Sequence, residues 1–254
     1  MKGRHIVDLN ADVGEGDADA DAALLALVSS CSIACGGHAG DAESMARTVR
    51  LAGGRGVAIG AHPSHPDRQG FGRRPMEIAP AQLAAALETQ IGALATIAAA
   101  AGVRLVHVKP HGALYTMAAT DRGVGECIVA AVRAIDPALV LVGLSGSELL
   151  RAGARGGLAV ASEVFADRGY EADVTLTPRG RPGALLADPA AVAARALRMV
   201  TAGLVAAAGG TVVPVRADTI CIHGDTPGAV ALAGAVRAAL DTAGVTVAPF
   251  SAAR

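Results

Sequence analysis

Six short stretches hold most of the side chains able to do chemistry. DLNADVGEG carries Asp8, Asn10, Asp12 and Glu15, and ACGGHAGD carries His38 and Asp41. GAHPSHPD carries His62, His65 and Asp67, and KPHGALY carries Lys109, His111 and Tyr115. EVFADRGY carries Glu163, Asp167, Arg168 and Tyr170, and CIHGD carries His223 and Asp225. Carboxylates, imidazoles and an ammonium suit general acid–base work on a carbonyl or an amide. The same residue types suit a divalent metal, but no HExxH or HxH spacing occurs, so the sequence leaves a metal open.

Other chemistries fit less well. A GxxxxGK[ST] phosphate loop is missing, because Lys109 lies between Val108 and Pro110; tight ATP binding by this chain alone is not expected. There is no GxSxG elbow around Ser145. Cys35 beside His38 reads as a small buried side chain at a strand end rather than a nucleophile. Cys31, Cys35, Cys127 and Cys221 form no CxxC pair, which argues against a disulfide scaffold and a structural zinc. Composition singles out Lys109. Of 22 Lys and Arg residues, only Lys2 and Lys109 are Lys. Where a chain uses Arg almost everywhere, a retained Lys points to a local need for a compact ammonium, and Lys109→Arg is expected to lose turnover and keep its fold.

These stretches need elements to hold them. Short apolar runs at 6–9, 32–34, 57–60, 103–108, 139–142, 158–161 and 219–222 read as strands, with a further one at 245–248. Between them lie helical patterns at 19–28, 41–52, 82–100 after Pro80, 123–135 and 145–152. Pro189 opens a helix to about 207, and Pro227 opens the last one. A looser segment spans 167–186. Seven or so β-then-α units without a break in composition predict one α/β domain over 1–254. A closed or nearly closed barrel is the first choice and a doubly wound open sheet the second. In either, the C-terminal strand ends share one face, and each polar stretch follows a strand, so one rim should collect them.

Charge and hydropathy narrow the class. A net charge of -1 gives no basic surface for nucleic acid. The N-terminus has no apolar signal region, and the uncharged run 199–215 is broken by Gly203, Gly209, Gly210 and Pro214, so a soluble cytoplasmic protein is expected. A homo-oligomer stays open.

Taken together, ACGGHAGD, GAHPSHPDRQGFGRR, KPHGALY and EVFADRGY resemble the LamB/YcsF family, in its order and spacing from DLNADVGEG to CIHGDTPGA. Gly37 stands where the family usually has Phe, His65 where Tyr is common, and Thr116 where Asn is common. The resemblance implies a distorted seven-stranded β/α barrel, similar to the glycoside hydrolase and deacetylase barrels. It also implies opening of the lactam of 5-oxoproline to L-glutamate, driven by ATP hydrolysis in an assembly with partner subunits B and C. On that basis Asp12 is expected as general base, with His38 or His62 as proton partner, and Lys109 and His111 as oxyanion donors. Arg73, Arg74 or Arg168 would hold the substrate carboxylate, or brace loops. Asp8, Asn10, Tyr115, Glu163, His223 and Asp225 are expected around the substrate. Two other functions fit the same residues: a metal-dependent amidase or deacetylase acting without ATP, and a non-catalytic binder of a small lactam or sugar.

Overall fold

The computed structural model describes residues 5–224, 226 and 228–249. Along β1 (Ile6–Val13) the side chains alternate: Val7, Leu9, Ala11 and Val13 join the apolar core, and Asp8, Asn10 and Asp12 form the other set. The strand is twice as long as the run 6–9, because its polar residues belong to the strand and not to a loop after it. Helix α1 (Ala18–Leu24) is capped by Asp17 and leads to β2 (Ser30–Ala34). Helix α2 (Ala42–Gly54) starts on a capping box between Asp41 and Ser44 and is followed by β3 (Ala58–His62). Helix α3 (Pro80–Ala100) then leads to β4 (Leu105–Val108).

Next come α4 (Gly112–Thr120), α5 (Arg122–Ile135), β5 (Val140–Leu144), α6 (Glu148–Arg155) and β6 (Val160–Phe165). Helix α7 (Pro189–Ala202) stops at the left-handed Gly203, and the chain turns into the hairpin β7 (Leu204–Ala206) and β8 (Val212–Pro214), so the helix does not run to 207. Strand β9 (Thr219–Ile222), helix α8 (Ala229–Thr242) and β10 (Thr246–Val247) complete the order. Pro227 lies outside the described residues.

Strands β1 to β6 and β9 pair in parallel, and β1 pairs with both β2 and β9. That last pairing closes a seven-stranded barrel and removes the open-sheet alternative. A register shift between Ile59 and Gly60 distorts the β3–β4 seam. It goes with a close approach: a Cβ on Gly60 would sit 2.2 Å from His107 Nε2, so the imidazole occupies the space of the missing side chain. Helix α3 is long and apolar enough to cross a membrane by composition. Here it buries Leu83, Leu87, Ile91 and Leu94 and packs on α5 and α2 as a barrel helix. Its buried Gln90 accepts from the Ser64 amide at 3.0 Å and donates to the Ser64 carbonyl at 2.9 Å. That clamp fixes the loop after His62.

Candidate active site

The C-terminal ends of the barrel strands surround a cavity of about 390 Å³, a size suited to a small molecule. Lys109 forms part of its wall, one residue past β4, and is buried. Its Nζ lies 2.5 Å from Asp12 Oδ1, a charge contact without hydrogen-bond angles. It donates to Asn10 Oδ1 at 3.0 Å, Glu163 Oε1 at 3.1 Å and Cys221 Sγ at 3.2 Å. Asn10 Nδ2 also donates to Glu163 Oε1, and Tyr115 donates to Glu163 Oε2 at 2.8 Å. Three strands and the first turn of α4 are thereby tied to one buried charge network. Burial pushes the Asp12 carboxyl up, but His62 and Lys109 outweigh it and hold it well below the carboxylate range. Burial acts downward on Lys109, and Asp12 and its other neighbours hold it well above its ordinary value. Both groups are therefore ionised.

Three imidazoles meet beside this network. His62 Nδ1 donates to the Lys109 carbonyl at 2.7 Å, which turns Nε2 toward Asp12 Oδ2 at 3.4 Å. His111 Nε2 donates to the Phe71 carbonyl at 2.9 Å. Burial pushes the His111 imidazole down, so it is neutral and has no N–H left for an oxyanion. The three N–H groups of Lys109, the other expected oxyanion donor, are given to Asn10, Glu163 and Cys221. His38 stacks on His111 with ring centroids 3.6 Å apart and bonds Glu15 Oε1 at 2.8 Å. It faces a neighbouring groove and not the main cavity, and burial lowers its pKa to about 2. Of the two expected proton partners for Asp12, geometry leaves His62. Glu15, His38, His62 and His111 place four possible ligand atoms within 4.8 Å of one another; Asp12, Cys221 and His223 form a second such group.

His223 and several cationic groups also line the cavity. His223 Nδ1 bonds Asp167 at 3.0 Å, and its ring stacks on Phe165. Arg73 and Arg168 line the cavity, together with Arg179. Burial lowers Arg168 to about 10, and two of its nitrogens are held by the Ala184 and Thr177 carbonyls. Arg74 instead turns outward to Asp67, away from the cavity. Asp8 is also removed from it. Asp8 accepts from Ser29, Ser30 and Thr219 on the side of the barrel away from the mouth, and burial raises it to about 6. Neither position fits direct substrate contact. Asp225 lies outside the described residues.

Several contributors escape a reading of the sequence. Leu176, Pro178 and Arg179 reach the cavity from the aperiodic segment 167–186. Cys221 carries a signal that could find it: it lies two residues before the singled-out His223, on the same strand face. Cys35 is buried, its thiol pushed up to about 12, as fits an inert core residue.

The comparisons bear on the family and the fold. A 5-oxoprolinase component from Methylococcus capsulatus, named as one subunit of that enzyme, is 58% identical over 246 residues, 95% of each chain. The crystal structure of a lactam utilization protein from Thermus thermophilus superposes with a TM-score of 0.90 at 47% identity, covering 96% of this chain and 99% of that one. A polysaccharide deacetylase from Bacillus cereus shares the fold alone, with a TM-score of 0.50 at 16% identity over 97% and 92% of the two chains. The sequence profile described as LamB/YcsF family matches residues 7–254, and with relatives this similar along its length the chain belongs to the LamB/YcsF family.

Proposed function

We propose that this chain opens the lactam of 5-oxoproline to give L-glutamate, as the lactam-binding component of an ATP-dependent assembly with partner subunits B and C. The names of its relatives support a lactam substrate and an enzyme of more than one subunit. The observation that carries the reading is a small cavity where an ionised Asp12 faces His223 and a cationic rim formed by Arg73 and Arg168. A five-membered lactam is a stable amide, so its carbonyl oxygen is first phosphorylated by ATP. Water then adds to the carbonyl carbon, the C–N bond breaks, and a second water releases phosphate. Asp12 accepts the proton of the attacking water. The charge of Lys109, rather than a free N–H, offsets negative charge developing on oxygen. His223, oriented by Asp167, supplies the proton to the leaving nitrogen. Arg73 and Arg168 hold the substrate carboxylate.

The test is glutamate formation from 5-oxoproline and ATP by the chain with and without subunits B and C. Turnover is expected only in the complete mixture, and Asp12→Asn should lower it about a hundredfold or more. Ring opening by the chain alone, without ATP, would overturn the proposal in favour of an independent amidase.

A further inference from the structure

The tautomers of two histidines are fixed by backbone carbonyls, which can only accept. His62 gives its Nδ1–H to the Lys109 carbonyl, and His111 its Nε2–H to the Phe71 carbonyl. The remaining ring nitrogens, His62 Nε2 and His111 Nδ1, then face one another at 3.0 Å. A carboxylate oxygen, Glu15 Oε1, lies 3.6 Å from His111 Nδ1. Three atoms able to ligate a cation thus converge, with the two N–H groups that bind backbone carbonyls turned away from them. Such a convergence is repulsive unless a positive species lies among them.

We infer that Glu15, His62 and His111 form a binding site for a divalent borderline cation such as zinc. Three further observations agree. Tetrahedral zinc with bonds of 2.0–2.1 Å spaces its ligand atoms roughly 3.3 Å apart, and the two separations here, 3.0 and 3.6 Å, bracket that value. Each ligand has the outer support that metal sites use: a carbonyl on each imidazole, and the His38 imidazole on Glu15 at 2.8 Å. The buried cluster as a whole also offers several ligand atoms within reach of one another, Glu15, His62 and His111 among them. Two imidazoles and one carboxylate supply three ligands, the number that catalytic zinc sites take from the protein. An ion held there would polarise a bound oxygen or acidify a bound water.

This inference deepens the reading of the mouth as a lactam-opening site, and its test needs neither substrate nor partners. The full chain is stripped with chelator and titrated with Zn²⁺, followed by calorimetry and by ¹⁵N NMR of labelled histidines. One ion per chain is expected, with the resonances of His62 Nε2 and His111 Nδ1 shifting together. His111→Gln and Glu15→Gln should each weaken binding about a hundredfold or more, with unchanged melting in chelator, while His5→Gln should not. If a variant fails to fold, the wild-type resonances still decide. Folded wild-type protein whose two nitrogens do not respond to Zn²⁺ overturns the inference, as does binding that survives both substitutions. Either result leaves the lactam reading to be judged by glutamate formation alone.

Discussion

Replacing Lys109 with Met removes the ammonium and keeps most of the side-chain volume. Two carboxylates then lose a buried partner, Asp12 at 2.5 Å and Glu163 at 3.1 Å. Breaking a buried ion pair by removing one member costs about 3–5 kcal/mol, because the other charge stays buried and uncompensated. The pH dependence gives the sharper test. In the wild type, Asp12 is held low, so its contribution is present above the ordinary carboxylate range and lost as pH falls through its folded value. Without Lys109, burial is opposed mainly by His62, and protonation relieves the strain on both carboxylates. The penalty should therefore be larger at pH 8 than at pH 5. Urea unfolding at both values, analysed by linear extrapolation, measures it. A penalty that is equal at the two pH values, or below about 1 kcal/mol at pH 8, would refute the claim that Lys109 neutralises this network.

Asp8, raised to about 6, makes the fold hold a proton that the unfolded chain releases near pH 4, so stability falls as pH rises through that window. Asp8→Asn should remove this slope, gaining up to about 3 kcal/mol on the wild type between pH 4 and 7 in urea unfolding; a constant difference would contradict it. Gly60→Ala places a methyl against His107 inside the barrel and should cost about 1–3 kcal/mol, seen as a lower melting temperature. Under native conditions a thiol reagent should label Cys127 only, because Cys31, Cys35 and Cys221 are buried; fast labelling of Cys35 would revive its nucleophile reading. Lys109→Arg should lose both stability and turnover, since a larger planar group must enter a filled site; the expectation of an intact fold gives way here.

The rim is legible in the sequence because a parallel barrel delivers every strand's C-terminal end to one face, and the polar stretches recur at that phase. What local pattern cannot carry is closure. The β1–β9 pairing joins Asp8 to Thr219, and no window of sequence contains both. Strand β1 reads short for a different reason. Its alternation puts polar residues toward the barrel interior and apolar ones toward the helices, the reverse of a half-solvated strand. Helix α4 escapes because its first residues, Gly112 to Tyr115, read as part of a catalytic loop, whereas His111 is its N-cap. The wall from 176 to 179 has no periodicity to read.

The interior of the barrel explains the composition that singles out Lys109. Barrels of this kind are commonly filled by aliphatic layers. Here Asp8, Asn10, Asp12, His107, Lys109 and Glu163 are all buried, so the polar groups must satisfy one another. Three acceptors, Asn10 on β1, Glu163 on β6 and Cys221 on β9, and the Asp12 carboxylate on β1 converge on one nitrogen within 2.5–3.2 Å. An ammonium is a compact point charge whose three donors spread in space, and it can meet partners arriving from different directions. A guanidinium keeps its five donors in a plane and cannot. In a chain whose basic residues beyond Lys2 are otherwise all Arg, the geometry of the acceptors, rather than charge alone, selects Lys at position 109.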